Sequence, residues 1–146
     1  EVCAVTSQDE STLPTGVRKI TLDEAFATSR IVSLHCPLTE QNRAFVNASL
    51  LERSAPGLIL VNTARGALID DIAGAEALQS GRLGTYACDV LSTEPPAADH
   101  PILSAPNTFV TPHIAWATAA ARGRIVRIMA DNLKAFLAGA PQNVVS

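Results

Sequence analysis

Aromatic residues, long apolar runs and clusters of basic residues are all scarce in this chain of 146 residues. Only 4% of the residues are aromatic although 47% are hydrophobic, so aliphatic side chains supply most of the apolar content, as in layered α/β proteins. No apolar run approaches the ~20 residues of a membrane-spanning helix, which argues against a membrane partner. The net charge of −3 is spread without basic clusters, which argues against a nucleic-acid partner.

Cysteines are too few and too scattered to form a disulfide framework. Cys3, Cys36 and Cys88 are odd in number and lie far apart in apolar stretches, which favours reduced, buried thiols and predicts a cytoplasmic protein. The chain also lacks an initial methionine and begins at Glu1, inside an apolar stretch. We therefore expect it to be part of a longer protein, with one domain or part of one present.

Short apolar runs alternate with helical stretches along the whole chain. This alternation predicts βαβ units around a parallel sheet. The run over 58–61 is apolar on consecutive positions, so both faces of that strand should be covered. The predicted strands span residues 1–5, 17–20, 30–35, 58–62, 85–90 and 108–111.

Helix starts are visible between these runs. Thr21 begins a capping box in which Glu24 should reach back to the first turn. Asn47 and Asp70 each precede a further helical stretch, and the second of these stops at Gly81. A last helix, roughly 116–138, carries one apolar stripe and ends at Gly139. The Pro-rich segment 92–101 is expected to be an ordered loop.

Polar side chains follow four of the predicted strands. In doubly wound sheets the ligand lies outside the carboxyl ends of the strands, so residues at those ends should share one rim. We therefore predict a polar reaction site there. Its members, in chain order, are Cys36, Pro37, Thr63, Ala64, Arg65, Asp89, Glu94 and His113.

Each polar member also has an ordinary structural explanation when taken alone. Arg65 could form a weak surface pair with Asp70. Glu94 could be a solvated loop residue, Asp89 a helix cap or turn former, and His113 a partly buried histidine with its hydrogen bonds satisfied. The joint placement at four strand ends favours the reaction site.

Metal binding and thiol catalysis are both disfavoured. His35 and Cys36 are adjacent, so they point in opposite directions from a strand, and no second pair has ligand spacing. Cys36 as a nucleophile would need a neighbour that lowers its pKa, and the sequence offers none nearby. We therefore expect no metal.

Five motifs in order resemble the D-isomer-specific 2-hydroxyacid dehydrogenases, especially the glycerate dehydrogenase and hydroxypyruvate/glyoxylate reductase branch. They are "IVSLHCPLT" (31–39), "LILVNTARGALID" (58–70), "CDVLSTEPP" (88–96), "TPHIAW" (111–116) and "NLKAFLAGAPQNVV" (132–145). The resemblance implies an α/β, doubly wound, Rossmann-like parallel sheet that lacks its first strand and glycine-rich turn. It also implies hydride transfer between NAD or NADP and a small 2-oxo or 2-hydroxy acid, most simply hydroxypyruvate or glyoxylate.

The resemblance also implies residue roles. Arg65 matches the arginine that holds the substrate carboxylate in a planar, bidentate manner. His113 matches the acid/base, and Glu94 matches the carboxylate that favours its imidazolium. Trp116 either walls the substrate pocket or packs into the core at a helix start. The cofactor-lining positions of the family match Cys36, Pro37, Thr63, Ala64, Arg65, Asp89, His113 and Ile114.

The chain departs from the family pattern in two ways. It contains no G-x-G-x-x-G turn to hold the pyrophosphate. If residues 1–5 and 30–35 are the second and fourth strands of the 3-2-1-4 order, absence of the first splits the sheet. The position that would hold the adenosine ribose falls near Thr6, without a carboxylate; Thr6 and Ser7 leave room for the 2′-phosphate of NADP, and Asp9 is the nearest carboxylate.

These departures shape the expected organisation. Residues 1–115 would form a partial dinucleotide-binding domain, and residues 116–146 would pack back toward a substrate domain that is absent here. The isolated chain should be poorly stable, incompletely ordered or inactive. The family pairs through its cofactor domains, so a homodimer is expected. The alternative is a non-catalytic dinucleotide-binding or dimerisation module.

Overall fold

The computed structural model describes residues 1–145, and contacts divide the chain into a unit of residues 1–112 and a unit of residues 113–146. The strands are β1 (Val2–Ala4), β2 (Val17–Lys19), β3 (Ile31–Leu34), β4 (Leu58–Asn62), β5 (Leu83–Cys88) and β6 (Thr108–Val110). The helices are α1 (Leu22–Thr28), α2 (Ala48–Glu52), α3 (Asp71–Gln79), α4 (Pro101–Ser104) and α5 (Ala119–Leu137). Two short 3-10 helices cover Glu10–Thr12 and Gly66–Leu68.

The strands form two separate parallel sheets in the first unit. β1 pairs with β2, and the other four strands form a sheet in the order β3-β4-β5-β6. The α/β, Rossmann-like fold class is therefore confirmed. The predicted split is also observed, because β1 and β3 are not hydrogen-bonded neighbours.

The core lies around β4 and β5. Leu58, Leu60 and Leu83 are at most 1% exposed, and Phe26 of α1 and Leu78 of α3 pack into the same cluster. Fully burying one such side chain contributes about 1.5–3 kcal/mol. Every residue of β4 is buried or half-buried, as its unbroken apolar run predicts for a strand covered on both faces.

The three predicted helix caps agree with the structure, except at one side chain. Thr21, Asn47 and Asp70 each cap the helix that follows, with side-chain oxygens that accept backbone N–H groups. The predicted second half of the capping box is wrong. Glu24 does not reach back to Thr21; its Oε1 accepts from Arg18 Nη1 at 2.9 Å, because a guanidinium is a stronger partner than a backbone amide.

Among the predicted strands and the last helix, β5 and α5 differ from their predicted bounds by two residues or more, and the others by at most one. β5 begins at Leu83 and ends at Cys88, two residues before the predicted bounds at each end. Glycine is disfavoured inside strands. Gly84 is nevertheless part of β5, because it lies against the backbone of Gly57, where a Cβ would come within 2.5 Å of the carbonyl oxygen. α5 begins only at Ala119, because Thr118 caps it and Ala117 N closes a turn on Ile114 O.

The second unit contains α5, on which no residue is buried. Its apolar stripe is exposed, from Ile125 at 47% to Leu137 at 75%. In the part of the chain that the structure describes, no helix combines the length and the apolar character needed to cross a membrane.

Candidate active site

The last residues of four strands stand in one row across the larger sheet. Leu34, Asn62, Cys88 and Val110 are successive Cα partners from β3 to β6. Because the strands are parallel, the segments that follow them leave the sheet at the same edge. The row is about 14 Å wide, from a strand spacing of ~4.8 Å. The structure thus brings the segments that begin at His35, Thr63, Asp89 and Thr111 to one edge.

Arg65 extends from a tight turn directly after β4. Asn62 Oδ1 accepts from Ala64 N at 3.0 Å, and Asn62 Nδ2 donates to Arg65 O at 2.9 Å, so one side chain spans the turn. The Arg65 side chain is exposed, and its Nη1 donates to Ala64 O at 2.6 Å. The surface pair with Asp70 does not form, since Asp70 Oδ1 accepts from Ile72 N and Ala73 N at the start of α3.

Gly66 joins this turn to the loop that carries Glu94. A Cβ on Gly66 would lie 1.9 Å from the carbonyl carbon of Leu91 and 2.3 Å from the nitrogen of Ser92. Glu94 Oε1 accepts from Leu91 N at 2.9 Å, which closes the loop on itself. Arg65 and Glu94 therefore belong to two backbone segments in direct contact, and Glu94 is an exposed loop residue whose carboxylate accepts a hydrogen bond from its own loop.

Asp89 is a buried carboxylate at the end of β5. It is 4% exposed, its backbone N donates to Asn62 O at 3.0 Å, and its Oδ1 accepts from Thr111 Oγ1 at 2.5 Å. Asp89 therefore ties the end of β5 to the ends of both neighbouring strands. Neither a helix cap nor a simple turn explains a carboxylate in this position.

The loop after β5 is also held by contacts of residues that were not predicted as site residues. Ser92 Oγ donates to Asp71 Oδ2, and His100 Nε2 lies 3.2 Å from the same oxygen. His100 is 8% exposed, and neither of its ring nitrogens has hydrogen-bond geometry with any residue in 1–145. His100 is thus close enough to Asp71 for an ion pair, but the geometry between them is not that of a hydrogen bond. The only sequence signal was a histidine before Pro101.

His113 opens the second unit in an uncommon backbone conformation. Its φ is +55°, in the left-handed region, and the residue is exposed. Non-glycine residues in this region cost about 1–3 kcal/mol and cluster at functional sites. Trp116 Nε1 donates to His113 O at 2.8 Å, and the residue is 54% exposed, so core packing does not explain Trp116.

The remaining predicted positions are mostly accessible. Pro37, Thr63 and Ile114 are exposed, while Cys36 and Ala64 are half-buried. His35 Nε2 is 2.9 Å from Ser33 Oγ. No group of three or more potential ligand side chains for a metal occurs among residues 1–145.

The three cysteines are free thiols, and they differ in exposure. Cys3 and Cys36 are half-buried, whereas Cys88 is buried. Burial raises the pKa of Cys88 to about 11, so its thiol stays protonated near neutral pH.

The segment after β1 bears on the choice between NAD and NADP. Asp9 Oδ1 accepts from the backbone N and the Oγ of Ser11 at 2.9 and 2.8 Å, and these hydrogen bonds lower the pKa of the Asp9 carboxyl. Asp9 thereby caps the first 3-10 helix. Thr6 Oγ1 accepts from Gln8 N at 3.2 Å. The Asp9 carboxylate is thus already engaged in a local cap.

Comparison with known proteins extends these observations. Residues 1–115 match the D-isomer specific 2-hydroxyacid dehydrogenase, NAD binding domain. A hydroxypyruvate reductase of Blautia hydrogenotrophica is 40% identical over 129 residues, which cover 88% of this chain and 40% of the relative. A D-lactate dehydrogenase with NAD+ from Lactobacillus jensenii has a TM-score of 0.90 at 25% identity, over 100% of this chain and 48% of that one. An acyclic imino acid reductase in complex with NADPH and D-Arg has a TM-score of 0.87 at 28% identity, over 99% and 46% of the two chains. The chain thus spans less than half the length of these relatives.

Proposed function

Since the chain belongs to the D-isomer specific 2-hydroxyacid dehydrogenase family through its NAD-binding domain, we propose that the complete protein transfers a hydride between NAD(P)H and a small 2-oxo acid. The backbone contact of Gly66 with Leu91 and Ser92 supports this proposal, because Arg65 and Glu94 belong to the two segments that meet there. Hydroxypyruvate and glyoxylate are the proposed substrates, and the name of the hydroxypyruvate reductase supports the first.

Each of the three residues has a distinct proposed role. Arg65 binds the substrate carboxylate, because its planar guanidinium matches two oxygens and stays charged. His113 donates a proton to the carbonyl oxygen in reduction and takes it back in oxidation. Glu94 favours the imidazolium of His113 and so keeps the proton available near neutral pH. The left-handed backbone at His113 supports a functional position.

The residues present fit the nicotinamide end of the cofactor. The Thr63 hydroxyl and the Asp89 carboxylate lie at the ends of adjacent strands, and a carboxylate suits an amide N–H₂ group. Cys36, Pro37, Ala64, Arg65, His113 and Ile114 complete the proposed lining. When bound, the nicotinamide supplies the hydride that reaches the carbonyl carbon in reduction. The 146 residues contain no glycine-rich turn for the pyrophosphate, and both NAD and NADP remain within the proposal.

The proposed organisation of the complete protein follows from the same family. Residues 1–115 form part of the dinucleotide-binding domain, and residues 116–146 pack toward the substrate domain, which the exposed apolar stripe of α5 supports. The complete protein forms a homodimer. Three free cysteines support a reducing, cytoplasmic location.

Steady-state kinetics of the complete protein test this function. Hydroxypyruvate and glyoxylate are supplied in turn with NADH and NADPH, and Arg65→Ala and His113→Ala are compared with the unaltered protein. We expect each variant to lose at least ~100-fold in kcat/KM, the range for removal of a positioned charge or acid/base. Arg82→Ala is the matched control, because this exposed arginine precedes β5 at the opposite end of the sheet. Unimpaired turnover in either site variant would refute the assignment.

A non-catalytic dinucleotide-binding or dimerisation module is the second candidate, because the family match is to an NAD-binding domain. Fluorescence titration of NADH with the 146-residue chain separates the two. Tight binding by the chain, together with no turnover by the complete protein, supports the module. Turnover by the complete protein that depends on Arg65 and His113 excludes it.

A further inference from the structure

Asn62 is a fully buried polar residue at the end of β4. Its exposure is 0%, and the other buried polar residues of the described chain are Ser54, Asp89 and His100. A buried amide is tolerated only when its hydrogen bonds are satisfied, so its partners indicate why it is there. None of the side-chain hydrogen bonds of Asn62 belongs to a helix or to the pairing of the strands, so an apolar residue would serve the strand itself equally well.

Two of the three hydrogen bonds of the Asn62 side chain go to the turn that carries Arg65. Its Oδ1 accepts from Ala64 N at 3.0 Å, and its Nδ2 donates to Arg65 O at 2.9 Å and to Tyr86 Oη at 3.3 Å. Both N–H groups of the amide are used in this way. The first two bonds fix the backbone on either side of the Ala64–Arg65 peptide.

Tyr86 anchors the amide from the neighbouring strand. The residue is 1% exposed, and burial raises the pKa of its hydroxyl well above the ordinary value, so the oxygen remains a neutral acceptor. The backbone of Asn62 is fixed as well, because its carbonyl accepts from Asp89 N at 3.0 Å. The amide is thus rigidly placed between the β5 strand and the Arg65 turn.

We infer that Asn62 is a positioning residue that sets the direction in which Arg65 leaves the sheet, and so the fit of its guanidinium to the substrate carboxylate. The inference rests on the proposed function for what Arg65 binds. The hydrogen bonds that support it are properties of this chain alone. Asn62 touches neither substrate nor cofactor in this scheme and acts through Arg65.

A double-mutant cycle in the complete protein tests this inference. Asn62→Ala is expected to lower kcat/KM for the 2-oxo acid by about 10- to 100-fold, because small misplacements of a binding group cost this much. Because Ala64 and Arg65 also belong to the proposed cofactor lining, the dissociation constant for NADH should rise no more in Asn62→Ala than it does in Arg65→Ala. In an Arg65→Ala background, the additional effect of Asn62→Ala should vanish. Full additivity of the two losses would overturn the inference.

Amide hydrogen exchange supplies a readout that is independent of activity. Asn62→Ala should speed exchange at Ala64 N by about tenfold or more, because the amide loses its acceptor. Asn62→Ser keeps an oxygen that can accept from Ala64 N, as in a serine turn, and should restore most of that protection. Unchanged exchange at Ala64 in Asn62→Ala would contradict the assigned role.

The control variant is Ser54→Ala. Ser54 is also buried, and its Oγ donates to Leu51 O at 2.7 Å away from the strand-end row, so this variant loses a buried hydrogen bond elsewhere. It should leave kcat/KM within about twofold of the unaltered value, since it removes no contact to the site. If Ser54→Ala lowers kcat/KM as much as Asn62→Ala, general destabilisation explains both and the inference fails.

The outcomes for the two proposals are distinguishable. If Arg65→Ala impairs turnover and Asn62→Ala does not, the proposed function stands and the positioning role falls. If the unaltered protein reduces no 2-oxo acid, the proposed function fails, and the exchange at Ala64 then decides whether Asn62 holds the turn.

Discussion

Gly66 is the residue at which two turns of the candidate site touch. No side chain fits at this position, because a Cβ would lie 1.9 Å from Leu91 C and 2.1 Å from Leu91 O. Both obstacles are backbone atoms, which cannot rotate away as a side chain can. The packing of the site therefore requires glycine after Arg65, whether or not a ligand also needs the space.

Replacement of Gly66 by alanine should be strongly destabilising. We expect Gly66→Ala to lower the free energy of unfolding by about 3 kcal/mol or more, because the two backbone segments must move apart. Gly81→Ala is the matched control: its φ of +74° is strained for alanine, but no atom lies within 4 Å of its Cβ position. The control should cost only about 1–2 kcal/mol. Denaturant unfolding of both variants measures the difference, and equal losses would show that the Gly66 contact is not rigid.

At the scale of elements, the sequence was most informative where a local rule decides the outcome. The cap residues Thr21, Asn47 and Asp70 were predicted correctly, because capping depends on a few neighbouring backbone N–H groups. Glu24 was predicted wrongly because its real partner, Arg18, lies on another element. The start of β5 was missed for a similar reason, since Gly84 is required by the nearby Gly57 backbone and not by its own neighbours.

The cap of α3 gives a prediction at this scale. Asp70 Oδ1 accepts from two backbone N–H groups at 3.1 Å, so Asp70→Ala leaves both without that partner. The expected loss in the free energy of unfolding is about 1 kcal/mol. Asp70→Ser retains a capping oxygen and should recover most of the loss. Thermal unfolding of both variants checks this, and a serine variant as unstable as the alanine variant would contradict the cap.

At the scale of the whole molecule, the sequence predicted the Rossmann-like class and the division of the sheet, but only part of the site. Arg65 and Glu94 stand on segments whose backbones touch at Gly66, while their roles stay predictions. Asn62 was missed because it ends an apolar strand, and nothing in the sequence says that its amide turns back onto the next three residues. The meeting of His113 with Arg65 and Glu94 stays a prediction.

The division into two sheets leads to a difference in local stability within the 146-residue chain. Among the strands of residues 1–145, β1 pairs with β2 alone, and Val2 is 64% exposed, whereas β4 lies between β3 and β5 with Leu60 fully buried. A two-stranded sheet is marginal without further cover, so it should open without global unfolding. We expect amides of Val2–Ala4 to exchange at least ~100-fold faster than those of Leu58–Asn62, equivalent to an opening about 3 kcal/mol lower in free energy. Hydrogen exchange followed by mass spectrometry measures both peptides in one sample, which makes β4 the internal control. Equal protection of the two strands would mean that both sheets unfold as one cooperative unit despite the missing hydrogen bonds between them.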